Sequence, residues 1–71
     1  MIQGYDKLGI YGQRVFNRTH KLHLAATGTE KRKKYEREQV KSVKANNAER
    51  CIEVRFRNGE LFKYKPDGTW Y

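Results

Sequence analysis

The chain has 71 residues, 34% of them charged, a formal net charge of +8 and a mean hydropathy of -1.06. That size holds one domain with a core of about a dozen side chains, near the lower limit for a fold that stands alone. The longest apolar run is Leu24-Ala25-Ala26, so the sequence predicts neither a membrane-spanning helix nor a signal peptide.

Residues 1–13 hold Gly4, Gly9 and Gly12 among Tyr5, Leu8, Ile10 and Tyr11. Glycine at that density disfavours a helix and predicts an irregular arm or short strand. Residues 14–26 support two patterns. Val15, Thr19, Leu22 and Ala26 share a helical face, whereas His20, Leu22, Leu24 and Ala26 alternate as in a strand. The weak helix formers Asn17, Thr19, His20 and His23 tip the second half towards a strand.

Thr27-Gly28-Thr29 is a break, after which Thr29 can cap a helix over residues 29–38, built from the strong helix formers of EKRKKYEREQ. A strand there would put charge on both faces. Residues 39–45 read as a first meander strand, joined through Asn46-Asn47-Ala48-Glu49 to residues 51–57, with Val43 opposite Ile52. Continuation of the helix to Ala45 is the alternative.

The segment CIEVRFRNGELFKYKPDGTWY carries the most specific signal. With Gly59 left-handed, Phe56-Arg57-Asn58-Gly59 forms a type I turn and a three-residue loop. Val54 then faces Phe62, Ile52 faces Tyr64, and Glu53 faces Lys63 on the other side. A two-residue loop would set Val54 against Lys63 and divide the apolar face. Lys65-Pro66-Asp67-Gly68 repeats the device and returns Trp70 beside Tyr64. The string VKSV…CIEVRFRNGELFKY resembles the start of the small KTSC domain, whose strands end in an Asn-Gly turn and an aromatic strand. The resemblance covers less than half of the chain, lacks the family's later segment, and brings no function with it.

The predicted architecture is α+β: one domain over residues 1–71, with a C-terminal antiparallel meander of three or four strands over residues 39–71. The segment from Val15 to Val40 covers its apolar face. A small all-β, SH3-like barrel is the runner-up.

Charge supplies the functional signal. Residues 30–50 carry eight Lys/Arg against four Glu, and a basic excess of this kind suits a polyanionic partner. Lys31, Arg32, Lys33 and Lys34, followed by Arg37 and Lys41, would form a basic row on the predicted helix, each phosphate contact releasing counterions. Arg55, Lys63 and Lys65 extend the patch on the polar face of the meander, beside Leu61 and Tyr71. The aromatic set Phe56, Phe62, Tyr64 and Trp70 could stack bases, but it shares a face with Ile52 and Val54 and reads as core.

Cys51 is the one cysteine; it excludes an internal disulfide, fits a reducing cytoplasm, and is assigned to the polar face near an edge without a catalytic role. His20 and His23 lack the further ligands that zinc requires, and no phosphate-binding glycine loop occurs. No cofactor is implied. The leading expectation is a non-enzymatic nucleic-acid-binding or regulatory module of the cytoplasm, with DNA or RNA as partner. The alternative is an inhibitor or adaptor of mobile-element type that engages an acidic surface on a host enzyme. A small ribonuclease toxin ranks third.

Overall fold

In the computed structural model, which describes residues 2–71, one long helix lies across a three-stranded antiparallel sheet. Helix α1 spans Gly9–Ala26 and buries Gly12, Val15, Phe16, Thr19, His20 and His23. Those positions follow the 3.6-residue period of a single helical face. The strand expected in the second half of residues 14–26 is therefore corrected to helix, and the glycine-rich arm ends at Leu8. His20 and His23 explain the difference. Both rings are buried core groups, so the apolar face runs through Phe16, His20 and His23 rather than through Leu22 and Ala26, which are exposed.

The predicted helix over residues 29–38 is also corrected. Helix α2 is a single turn, Thr29–Arg32, and Gly28, not Thr29, stands at its cap. The chain then turns through Tyr35 into a 3-10 turn at Arg37–Gln39. Tyr35 accounts for the break, being the only aromatic side chain in a charged stretch. A straight helix would leave its ring without apolar neighbours. Instead its ring lies 5.0 Å from His23, 5.1 Å from Phe56 and 5.6 Å from Phe62. Its carbonyl oxygen lies 2.6 Å from His20 Nε2, and its hydroxyl donates to Glu60. Burial of that ring outweighs the few hydrogen bonds of a short solvated helix.

Strands β1 (Val40–Asn46), β2 (Cys51–Phe56) and β3 (Leu61–Tyr64) pair in sequence order. The β2–β3 register sets Ile52 against Tyr64, Glu53 against Lys63 and Val54 against Phe62, as the three-residue loop requires. Gly59 has φ 92° and its N–H donates to the Phe56 carbonyl at 3.0 Å. In the second turn the Gly68 N–H donates to the Lys65 carbonyl at 3.0 Å, and Trp70 bridges Tyr64. The β1–β2 register differs from expectation by two residues: Val43 faces Val54, and Ala45 faces Ile52. Asn46 stays in the strand, accepting from the Glu49 N–H at 3.2 Å and donating to Glu53 at 3.1 Å. The four-residue loop is thus residues 47–50, with Arg50 left-handed at φ 54°. A shift of two preserves the face, so Val43 is still in the core.

Both edges of the sheet are occupied. Gln3 bridges Ser42 in parallel along β1, while Tyr71 exchanges backbone hydrogen bonds with Lys63 along β3. The arm can approach so closely because Gly4, at φ 86°, has no Cβ; one placed there would sit 2.2 Å from the Val43 carbonyl oxygen. Covered edges offer little unpaired backbone to another chain. Between helix and sheet lie Phe16, Val40, Val43, Ile52, Val54, Phe56 and Tyr64, with Tyr5, Leu8, Tyr35, Phe62 and Trp70 packed around them.

Candidate nucleic-acid interface

Strand alternation sends Ile52, Val54 and Phe56 towards α1, and Cys51, Glu53 and Arg55 to the opposite face. Ser42 and Lys44 join that second face from β1, and Leu61, Lys63 and Lys65 from β3 and its extension. The helix side chains that pack on the sheet join the core cluster on the other side, so Lys44, Arg55 and Leu61 stand exposed on this face, while Ser42, Glu53, Lys63 and Lys65 are half-buried and Cys51 is buried. The face carries Lys44, Arg55, Lys63 and Lys65. Tyr71, 57% exposed, stands beside the last two, its ring centre 5.9 Å from Lys63 Nζ and 5.6 Å from Lys65 Nζ. Cations near the ring face hold the phenol in place without covering it entirely.

One cation on this face is partly neutralised. Lys63 Nζ contacts Glu49 Oε1 at 2.7 Å, which pushes the Lys63 pKa up and the Glu49 pKa down. Lys44, Arg55 and Lys65 make no ion pair among the described residues. Cys51 is buried at the start of the central strand, which corrects its expected position near an edge. Its thiol pKa is raised, chiefly by burial, and the thiol form is a poor nucleophile.

The residues expected to form one helical row do not do so. Lys31 and Arg32 sit on the single turn of α2, Lys33 and Lys34 in the turn that follows, Arg37 in the 3-10 turn and Lys41 at the bulge of β1. Lys31, Arg32, Lys33 and Lys34 are all exposed. Their loop is anchored by Tyr35 on the core side of the sheet, so the sheet separates this patch from Arg55, Lys63 and Lys65. The protein presents two basic surfaces rather than one.

Arg37 and Arg57 lie elsewhere again, in a cleft of about 360 Å³ lined by Ile2, Tyr5, Asp6, Arg37, Glu38, Val40 and Arg57. Arg37 Nη1 donates to Asn17 Oδ1 at 3.2 Å, and its guanidinium carbon lies 5.2 Å from the Tyr5 ring centre. Arg57 Nε donates to the Glu38 carbonyl at 2.9 Å. Sequence reasoning missed Lys44, Arg57 and the cleft. Lys44 could have been found from strand alternation, since it shares its side with Ser42, but no local signal marks the cleft.

His20 and His23 are structural in this arrangement. A carbonyl only accepts, so the 2.6 Å contact to Tyr35 places a proton on His20 Nε2. His23 Nδ1 lies 2.8 Å from the Tyr64 hydroxyl. The His23 ring is stacked 5.1 Å from Trp70 and lies 4.8 Å from Phe62. Burial is the largest influence on both rings and lowers their pKa values below the usual histidine range. No group of three or more side chains suited to holding a metal ion occurs among the described residues, and no helix there is long and apolar enough to cross a membrane. No protein-family model, curated protein or solved structure matches this chain.

Proposed function

We propose that the protein is a small non-enzymatic nucleic-acid-binding module whose open sheet face holds a single strand. One observation carries this reading: Lys63 and Lys65 flank the exposed ring of Tyr71, on the sheet face that also carries Lys44 and Arg55. Cations spaced along strands neutralise successive phosphates, and an exposed aromatic ring gives a base a stacking surface. The net charge of +8 favours the same class of partner at long range. Lys31, Arg32, Lys33 and Lys34 form a second basic surface that adds attraction without belonging to the face. Cys51, free and buried, is compatible with a reducing cytoplasm. The test is fluorescence anisotropy with oligo-U and oligo-dT across a range of salt. Affinity is expected to fall linearly on a log–log plot, and Tyr71→Ala should weaken binding by about 1–3 kcal/mol with little change in slope. A salt-independent parent, or a Tyr71→Ala variant that binds as well as the parent, contradicts the reading.

A second reading, an inhibitor or adaptor of a host protein, is favoured by a separate feature. Ile10 and Tyr11 are 74% and 71% exposed at the start of α1. Tyr11 borders a groove of about 270 Å³ whose walls include Leu8, Val15 and Ile52. Exposed apolar side chains beside an apolar groove suit a protein contact. Specific capture of one protein, abolished by Tyr11→Ser but not by substitutions on the open face, would support this reading.

A further inference from the structure

We propose that the cleft between the N-terminal arm and Arg57 is a guanine-reading pocket, in which the carboxylates of Asp6 and Glu38 accept the base edge, Arg37 stacks on the base and Arg57 holds phosphate. This rests on the nucleic-acid reading and adds base specificity to it. Arg37, Arg57, Asp6 and Glu38 all line one cleft of about 360 Å³, a volume within the range of small-molecule sites. Opposite charges brought into contact there would pair. Here the ion pair found among the described residues is Lys63–Glu49, and neither Asp6 nor Glu38 has its carboxylate in a hydrogen bond there. Arg57 uses Nε on the Glu38 backbone at 2.9 Å, and its two Nη groups have no protein acceptor among the described residues. Arg37 uses one Nη on Asn17.

The ligand that answers these groups must carry an anionic oxygen and, at a distance from it, adjacent hydrogen-bond donors. Guanine has such donors at N1–H and N2–H₂, which one carboxylate accepts together. Adenine and cytosine each put a donor beside an acceptor on that edge, so a lone pair would face the carboxylate. Uracil offers a single donor between two acceptors. Sequence-specific recognition of unpaired bases commonly uses this edge, with stacking on an aromatic ring or a guanidinium plane. Arg37 supplies such a plane, its guanidinium carbon 5.2 Å from the Tyr5 ring centre that backs it. The pocket is also within reach of the open face. Arg55 lies on that face and Arg57 two residues further along, roughly 7 Å at strand rise.

The test is a titration of the full chain with 5′-GMP and 5′-AMP, followed by ¹H–¹⁵N spectra. Shifts are expected at the amides of Asp6, Arg37, Glu38 and Arg57, with GMP bound about tenfold more tightly than AMP, the discrimination of one good bidentate contact. All four side chains are exposed, so the variants should fold. Asp6→Asn with Glu38→Gln should remove the preference and leave AMP affinity intact, and Arg57→Gln should weaken both nucleotides alike. Equal affinities, or shifts confined to other residues, overturn the proposal. A parallel arm compares oligo-U with the same oligomer carrying one central guanine. Salt-dependent binding without a preference removes the guanine pocket and leaves the nucleic-acid reading standing. A GMP preference without retention of either oligomer does the reverse.

Discussion

Acidification should destabilise this protein well above the range in which its carboxylates titrate. His20 and His23 are both buried, and burial is the first cause of their lowered pKa values. For His20 the Tyr35 carbonyl works against that shift and Arg37 with it; for His23 the neighbouring His20 adds to it and Glu60 opposes it. In the unfolded chain each imidazole titrates near 6.5. Above that pH both states hold neutral rings and stability is independent of these groups. Below it the unfolded chain binds protons that the folded chain refuses, so stability falls until the folded rings themselves titrate. If neither ring protonates in the fold, the two together remove at most about 2.5 kcal/mol between about pH 7 and pH 5.5. In a domain of this size 1 kcal/mol moves the melting temperature by about 4–8 °C, so the full effect is roughly 10–20 °C. Glu49, Glu60 and Asp67 have lowered pKa values, and the stability tied to them disappears only at lower pH. The assay is thermal unfolding by circular dichroism at fixed ionic strength across that range, on the parent and on His23→Phe. His23→Phe should show about half the parental slope. A melting temperature that stays level or rises as pH falls from 7 to 5.5 would refute the buried-neutral account.

Trp70→Ala should destabilise by about 3 kcal/mol, since the ring stacks on His23 and packs on the core although it is only half-buried; chemical denaturation measures it, and a parental midpoint would place the ring outside the packing. Gly59→Val should destabilise by about 1–2 kcal/mol or more because its φ is 92°. Asn58→Asp should cost less, because the bond that Asn58 Oδ1 accepts from the Glu60 N–H at 3.0 Å is kept and only the exposed donation of its amide to Glu60 Oε2 at 3.1 Å is lost. Equal melting temperatures for the two turn variants would show that Gly59 is not held left-handed.

The meander was legible because its information is local. Gly59 and Gly68 fix two turn types, and once the turns are placed the side-chain period of two aligns Val54 with Phe62 and Tyr64 with Trp70. The first hairpin was less legible by two residues, because Asn46 closes its loop with its own side chain from within β1. The helices were misread for a different reason. Histidine is polar in a composition count, yet His20 and His23 pack here as neutral aromatic rings, and the Tyr35 loop that satisfies His20 comes from 15 residues away. No periodicity in α1 reveals that partner. The same holds for the candidate site: Arg55, Lys63 and Lys65 share a face by strand alternation alone. The cleft depends on the arm, the 3-10 turn and Arg57 meeting in space. Lys31, Arg32, Lys33 and Lys34 looked like the dominant feature because charge density along a chain says nothing about which side of the sheet carries it.

The comparison that most directly tests the open face as the binding surface sets two triple variants side by side against one single-stranded oligonucleotide. Lys44, Arg55 and Lys65 are replaced by Gln in one, and Lys31, Lys33 and Lys34 in the other, so both give up three charges. The open-face triple is predicted to weaken binding strongly and to shallow the log–log salt slope by about 0.7 for each phosphate that is no longer neutralised. The loop triple should change both far less. A loop triple that forfeits the larger share of affinity and slope, or a parent that shows no salt-dependent binding, would contradict the account.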